Sequence, residues 1–503
     1  MIERLLLTAA QMRCADHYAM DALGVSSALL MEQAGCCVAE AVLQRLDVGH
    51  RVLVVAGKGN NGGDGLVAAS KLHGENIAVQ CVLLGCLQDL KGDAATYAKQ
   101  CQAKGICINE CFDEIQLLDQ AQQFLHADII VDAIFGTGLR RPLTGLMAKA
   151  VKAINESAAQ VLSVDIASGV DGDNGYVLGT AVEATWTLPI AACKWGHWLD
   201  GGRKMAGEVL TPAQIGIPHE VVEQVMKEVP GPASSARLIG RPDIDVAFPR
   251  RERTAHKGDF GRVWIFGGSV GYTGAPRLAA MGAFAVGSGL VSIGCPEEVY
   301  PIVAASSLEV MVHPHDKAPW QQADAVLAGP GWDAGQMHEL LSDLMSTPVP
   351  LVLDADALNL LAGDQKLAAM LAGREGISVL TPHPGEAGRL LGITAKEVQG
   401  DRLASVMTLA KTFQSWVLLK GADSLIASPA GDCWLCPYGS PRLATAGSGD
   451  VLAGMVAGLL GRGLEPSMAL PAAVGLHALA GENESWHLAG ELAKVVFELA
   501  PQT

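Results

Sequence analysis

The chain has 503 residues, half of them hydrophobic, 18% charged and 58 of them glycine. At roughly 150 residues per domain this predicts two to four domains with ample apolar surface to bury, which excludes a largely disordered chain. The net charge of −17 excludes phosphate-backbone binding as the main role and predicts no nucleic-acid partner, yet it leaves small phosphorylated ligands open, because backbone amides hold these without net positive charge.

Helical patterns are expected over 8–22 and 27–47, and the N-terminal apolar run is too short for a secretory leader. RVLVVAG (51–57) then reads as a buried parallel strand, with a further helical pattern after Gly65. AVQCVLLG, DIIVDAIFG and QVLSVDIASG repeat the unit, each an apolar run closing on a Gly-bearing turn. Such alternation predicts a Rossmann-like parallel sheet covered on both faces, with ligands at the carboxyl ends of its strands. From 217 to 256 the chain carries five Pro and many charges without a sustained apolar period, which is linker composition. The expected division is therefore an N-terminal domain over 1–225, a linker over 226–240 and a C-terminal α/β domain over 241–503. In that second half GRVWIFGGS, GLVSIGCP, DAVLAGPG, PLVLDADAL, ISVLTPHPGE and WVLLKGAD read as strand-then-turn units, and SGDVLAGMVAGLLGRG reads as a helix. No apolar stretch reaches the length of a membrane span, and the 12 Cys lack the spacing of a four-ligand zinc site; Cys433 and Cys436 form a lone C-x-x-C. A cytoplasmic, reducing location follows as the expectation.

Three strand ends of the first half carry chemistry. Gly57, Gly59 and Gly62 satisfy G-x-G-x-x-G, but no carboxylate closes the next strand, which disfavours a hydride-transferring dehydrogenase. The denser run Asn60, Asn61, Gly62, Gly63, Asp64 and Gly65 allows close approach of an anion or a ribose. VDAIFGTGLRRP supplies Asp132, then Gly136, Thr137, Gly138, Leu139, Arg140, Arg141 and Pro142, with the two Arg as a phosphate clamp. SVDIASGVDGDNG supplies Asp165 and Ser168. Taken singly, a strand-end Asp is commonly a turn cap. Three converging ends weaken that reading. Asn61, Asp132 and Ser168 are oxygen donors suited to a monovalent or hard cation, leaving Asp165 for proton transfer.

In combination, NNGGDG, FGTGLRRP and the DIASGVDGDNG stretch resemble the NAD(P)H-hydrate epimerases over about residues 10–215. The resemblance implies potassium at Asn61, Asp132 and Ser168, the hydrated dinucleotide at Asn60 to Asp64, Gly136 to Pro142 and Asp165, and interconversion of the R and S forms at C6.

ATAGSGDVLAG (444–454) is the strongest signal of the second half. Gly447, Ser448 and Gly449 are expected to offer backbone N–H groups at a helix N-terminus, with Asp450 in the first turn positioned to accept a proton while the amides stabilise a phosphoryl group. A chain without GK[ST] has no Walker loop, and the G-S-G-D run resembles the ribokinase-like fold instead. GGSVGYTGAP, AGPGW, LDADALN, TPHPGE and LKGADS follow in an order that resembles the ADP- or ATP-dependent NAD(P)H-hydrate dehydratases over about residues 240–500. That resemblance implies adenine-nucleotide contacts at Lys420, Gly421, Ala422, Asp423, Ser424 and Gly449, hydrate contacts at Ala275, Gly331, His383 and Asp450, and magnesium with the nucleotide. Ser424 stands where several relatives have Thr.

Together the resemblances imply a bifunctional repair enzyme for NADH hydrate and NADPH hydrate, with ADP as the expected phosphoryl donor and Asp165 and Asp450 as the catalytic carboxylates. A homo-oligomer is expected, apolar-rich helices such as 27–47 offering an interface. Two other readings stand beside this one: a ribokinase-like kinase for a vitamin precursor, and an interaction module in the N-terminal half.

Overall fold

The computed structural model describes residues 4–501 apart from 48, 306–307 and 334–336. It divides into two compact units, Met1–Gly231 and Pro232–Thr503.

The first unit is built on a seven-stranded, all-parallel sheet. In space its strands run Ile108–Cys111, Ala78–Leu84, Arg51–Ala56, Ile129–Ala133, Gln160–Val164, Trp186–Leu188 and Glu208–Val209. Sequence order reverses between Arg51–Ala56 and Ile129–Ala133, the position at which the loops leaving the carboxyl ends diverge and open a crevice. Leu53, Val55, Val82, Ile130 and Val161 are buried together on one face of this sheet. Helix Ala9–Asp21 starts where predicted because Thr8 and Gln11 form a reciprocal cap: Gln11 N–H donates to Thr8 Oγ1, and Thr8 N–H donates to Gln11 Oε1. The second helix ends at Leu43, short of the expected 47.

Two expectations need correction. The helix placed after Gly65 begins at Asn60, so NNGGDG forms its first turns instead of a preceding turn. None of these glycines has positive φ. Their role is close packing: a Cβ on Gly62 would run into the Gly57 carbonyl oxygen, and one on Gly65 would sit 2.6 Å from Ala133 Cβ. The expected linker is also ordered. Helix His219–Glu228 buries Val221, Val222, Val225 and Met226, and strand Ser235–Leu238 joins the sheet of the second unit. The apolar spacing i, i+1, i+4, i+5 of that helix is a genuine amphipathic stripe, too short to stand out among its charges.

The second unit has a ten-stranded sheet in the order Ser235–Leu238, Asp432–Leu435, Leu425–Ala427, Trp416–Leu419, Ser378–Leu380, Leu351–Leu353, Ala325–Ala328, Arg262–Phe266, Leu290–Cys295, Met311–Pro314. Only Leu425–Ala427 runs against its neighbours. The six predicted strands of this half are present, and helices cover the sheet in an α/β arrangement. Helix Ala275–Ala285 packs on helix Ser448–Gly461 through small residues, Gly282 lying against the Val451 carbonyl and Gly454 against that of Ala279. The sheet reverses order between Arg262–Phe266 and Ala325–Ala328. Among the described residues no helix is long and apolar enough to cross a membrane.

Candidate active sites

In the first unit the carboxyl ends of three strands bring together Asn61, Asp132, Asp165 and Ser168. Asp132 is fully buried, and four donors surround its carboxylate. Ser168 Oγ and Ile134 N–H donate to Oδ1 at 2.6 and 3.3 Å, while Ser163 Oγ and Ser168 N–H donate to Oδ2 at 2.7 and 2.9 Å. Burial raises the Asp132 pKa, and the Ser168 bonds oppose that shift. Asn61 is buried, and its Nδ2 has no hydrogen-bond partner among the described residues. Gly136 marks where Asn61 and Asp165 meet, since a Cβ there would lie 3.1 Å from both Asn61 Oδ1 and Asp165 Oδ2. The all-oxygen set of Asn61, Asp132 and Ser168 fits a monovalent cation in its chemistry.

Asp165 has a left-handed backbone, φ +68°, uncommon for a residue with a Cβ. Its Oδ1 is paired with the Lys194 ammonium and accepts from Ile190 N–H at 3.1 Å. Lys194 is fully buried and also donates to the Ile190 carbonyl at 2.7 Å. His197, fully buried, bridges the same pair: its Nε2 lies 2.7 Å from the Asp165 carbonyl, and its Nδ1 accepts from Lys194 N–H at 3.0 Å. Burial holds the imidazole pKa down at about 4, so the ring is neutral with its proton on Nε2. Asp16 and Asp64 complete the acidic surroundings. Burial pushes Asp16 up to about 6, and burial with the nearby Asp165 and Asp16 raises Asp64 well above the usual carboxylate range. Lys194, His197 and Asp16 were not singled out from the sequence, because a buried Lys in KWGH has no spacing that separates it from a surface one.

Residues 138–142 of the loop 136–142 line an open cleft with Phe135 and Met147. Arg140 does not stand free as one arm of a phosphate clamp; it pairs with Asp173 at 3.1 Å, whereas Arg141, also exposed, has no such pairing among the described residues.

In the second unit four charged side chains gather at the strand ends. Lys420 Nζ lies 2.7 Å from Asp354 Oδ1 and 3.9 Å from Glu386 Oε2. Thr381 Oγ1 donates to the same Asp354 oxygen at 2.8 Å. Gly449 faces the ammonium, a Cβ there falling 3.6 Å from Nζ, which places the first turn of helix Ser448–Gly461 against this cluster. Burial, reinforced by Asp354, pushes the Asp450 pKa up to about 7; burial likewise pushes Glu386 to about 7. Burial opposes the Lys420 charge, but Asp354 and Glu386 raise its pKa overall. Asp354 and Glu386 lie inside the LDADALN and TPHPGE segments, where a one-dimensional motif does not show which carboxylate of a turn points inward.

Gly447 has φ +91°, which lets the chain turn into the helix, but the amide array is narrower than expected. Ser448 N–H donates to the Thr445 carbonyl at 3.2 Å and its hydroxyl to Leu443, so Ser448 serves the turn itself. The N–H groups of Gly449 and Asp450 fall in the first turn, where the helix supplies no acceptor. His383 caps helix Pro384–Leu391, its Nδ1 accepting from Gly385 N–H at 3.0 Å while its own N–H donates to Glu386. Gly331, with φ +67°, sits 3.1 Å (as a Cβ) from Ala275 Cβ, so these two meet at the order reversal of the sheet. In the 420–424 loop Gly421 lies against the Arg402 guanidinium, Asp423 has φ +52°, and Ser424 Oγ donates to the Gly421 carbonyl at 2.9 Å.

Residues 263–494 match the family described as NAD(P)H-hydrate dehydratase, and residues 27–196 match the family described as YjeF-related protein N-terminus. A bifunctional NAD(P)H-hydrate repair enzyme from Moorella thermoacetica is 38% identical over 95% of this chain and 92% of its own length. One from Coxiella burnetii is 35% identical over 98% and 97%. The chain belongs to the bifunctional NAD(P)H-hydrate repair enzyme family. Among solved structures, an ADP/ATP-dependent NAD(P)H-hydrate dehydratase from Bacillus subtilis, co-crystallised with ATP/Mg2+, is 31% identical and covers 52% of this chain and 95% of its own, with a TM-score of 0.46. Membership across both halves disfavours the vitamin-kinase alternative.

Proposed function

We propose that the chain repairs hydrated NADH and NADPH with two activities, R/S epimerisation at C6 in the first unit and nucleotide-dependent dehydration of the S epimer in the second. Family membership over nearly the full chain carries the reading. The retained carboxylates at both sites support it, since a scaffold needs neither.

In the second unit Asp450 accepts the proton of the C6 hydroxyl. The oxygen attacks the terminal phosphoryl of ADP and AMP leaves. The N–H groups of Gly449 and Asp450, with Lys420, stabilise the charge on the transferring group. The phosphate ester then breaks at C6 as a proton is lost from C5, which restores the dihydropyridine. Loop 420–424 holds the adenine nucleotide, and Ala275, Gly331 and His383 hold the hydrate. Magnesium, when bound, supplies charge neutralisation on the phosphates, and Asp354 and Glu386 are the carboxylates at hand for it.

In the first unit Asp165 moves a proton during inversion at C6. Residues 60–64 and 136–142 hold the dinucleotide. Asn61, Asp132 and Ser168 would hold potassium, whose charge would organise those loops.

The deciding experiment follows the return of dihydronicotinamide absorbance from mixed R and S NADH hydrate with ADP or with ATP. Full recovery with the faster rate on ADP is the expected result. Recovery that stops once the S epimer is spent, after spontaneous epimerisation is subtracted, would remove the epimerase assignment. No recovery with either nucleotide would remove the dehydratase assignment.

A further inference from the structure

The carboxylate of Asp165 is held with more apparatus than a turn requires. Its residue carries a left-handed backbone despite having a Cβ. Its Oδ1 is covered by a buried ammonium and a backbone N–H. Its carbonyl is gripped by a buried neutral imidazole. Two of these features are unfavourable by themselves: a left-handed backbone is strained for a residue with a Cβ, and a charge withdrawn from water is tolerated only when it is paired. All three act on one residue, and they leave one oxygen, Oδ2, directed at Gly136 beside Asn61 Oδ1. Lys194 and His197 are three residues apart, and His197 closes the loop by accepting from Lys194 N–H, so one short segment grips both ends of Asp165.

We propose that Lys194 and His197 are positioning residues of the epimerisation site, which occupy Oδ1 and the backbone of Asp165 so that Oδ2 alone faces the C6 hydroxyl. The inference rests on the reading of Asp165 given above. Lys194 fixes the carboxylate rotamer and supplies its counter-charge. His197 fixes the left-handed turn that aims it. Oδ2, by contrast, accepts no hydrogen bond among the described residues and lies beside Gly136 of the 136–142 loop.

The test uses the full-length chain, with R-to-S exchange of NADH hydrate followed in the absence of nucleotide and S-hydrate dehydration with ADP followed separately. Lys194→Met is expected to lower epimerisation kcat by about 100-fold, the scale of a lost proton-transfer group. KM for the hydrate should stay within about threefold, and the dehydration rate should be unchanged. Asp165→Asn combined with Lys194→Met is expected to be no slower than Asp165→Asn alone, because groups acting as a unit are not additive. Wild-type kcat in Lys194→Met, or losses that add, would overturn the proposal. Should Lys194→Met lose the folding transition of the first unit, His197→Gln gives the same decision: a kcat loss that disappears in the Asp165→Asn background supports it, and an unchanged kcat overturns it. An Asp165→Asn variant with wild-type epimerisation would instead remove the reading beneath it.

Discussion

Lys420 Nζ lies 2.7 Å from Asp354 Oδ1, in a site where one ammonium serves three carboxylates. Burial, reinforced by the neighbouring Asp354 and opposed by Lys420, brings Asp450 and Glu386 to about 7. A base must be ionised to work. Dehydration kcat/KM should therefore climb between about pH 6 and pH 8 and level off above, since this quantity reports groups of the free enzyme. Lys420→Met removes the lowering influence on Asp450 and should move the rise to higher pH. A wild-type profile already flat above pH 5 would show that Asp450 is ionised there and would overturn its raised pKa.

The same shift acts on stability with a definite sign. Between the ordinary carboxylate value of 3.8 and about 7, folded Asp450 binds more protons than unfolded Asp450. Stability contributed there falls as pH rises through that window. Asp450→Asn should thus raise the melting temperature of the second unit at pH 8, by about 2–4 °C per kcal/mol recovered in a unit of this size. The difference should shrink toward pH 5. The same variant should abolish dehydration and spare epimerisation. A variant that melts lower at pH 8, or that still dehydrates, would contradict the assignment.

Many of the strands and the motif-bearing turns were legible because they are short apolar runs closing on a turn, and buried parallel strands have few other ways to be written; shorter or more polar strands such as Ile108–Cys111, Glu208–Val209 and Asp432–Leu435 were not. Asp450 was legible because G-S-G-D puts an acid and small residues at a helix start. The geometry around the two aspartates was not. Lys194 and Asp165 are 29 residues apart, and Lys420 and Asp354 are 66 apart, joined only by the sheet. Arg140 and Ser448 illustrate the converse: each had the right chemistry in the right motif, but Asp173 and the Thr445 carbonyl engage them in the fold. Helix His219–Glu228 was hidden by its charges.

The glycines of the first unit separate packing from permissive space. Gly62 has the Gly57 carbonyl where a Cβ would go, whereas Gly59 has nothing within 4 Å. Gly62→Ala should destabilise the first unit by about 1–3 kcal/mol, the usual cost of overpacking against groups that cannot move aside. Gly59→Ala should melt within about 1 °C of wild type, as an open site predicts. Circular dichroism melts of the two variants decide this. Equal melting would mean that the helix start at Asn60 does not pack as described.

The oxygen set at the first site carries a prediction of its own. Asn61 Nδ2 is buried without a partner, while Asn61 Oδ1 and Asp165 Oδ2 approach Gly136 with no donor between them. A cation held by Asn61, Asp132 and Ser168 would bind only the folded unit, so it should stabilise that unit by mass action, about 2.7 kcal/mol at a hundredfold excess over its dissociation constant. Exchanging potassium for tetramethylammonium should lower the first melting transition and epimerisation together, and leave dehydration of S hydrate untouched. Asn61→Ala should remove the potassium dependence of that transition, because the amide oxygen is the one ligand not already engaged by hydrogen bonds, unlike Asp132 and Ser168. Gly136→Ala should reproduce the loss of epimerisation by a different route, its Cβ pressing 3.1 Å from both oxygens. A melting transition that rises equally with tetramethylammonium and with potassium would place the effect in ionic strength and dismiss the cation site.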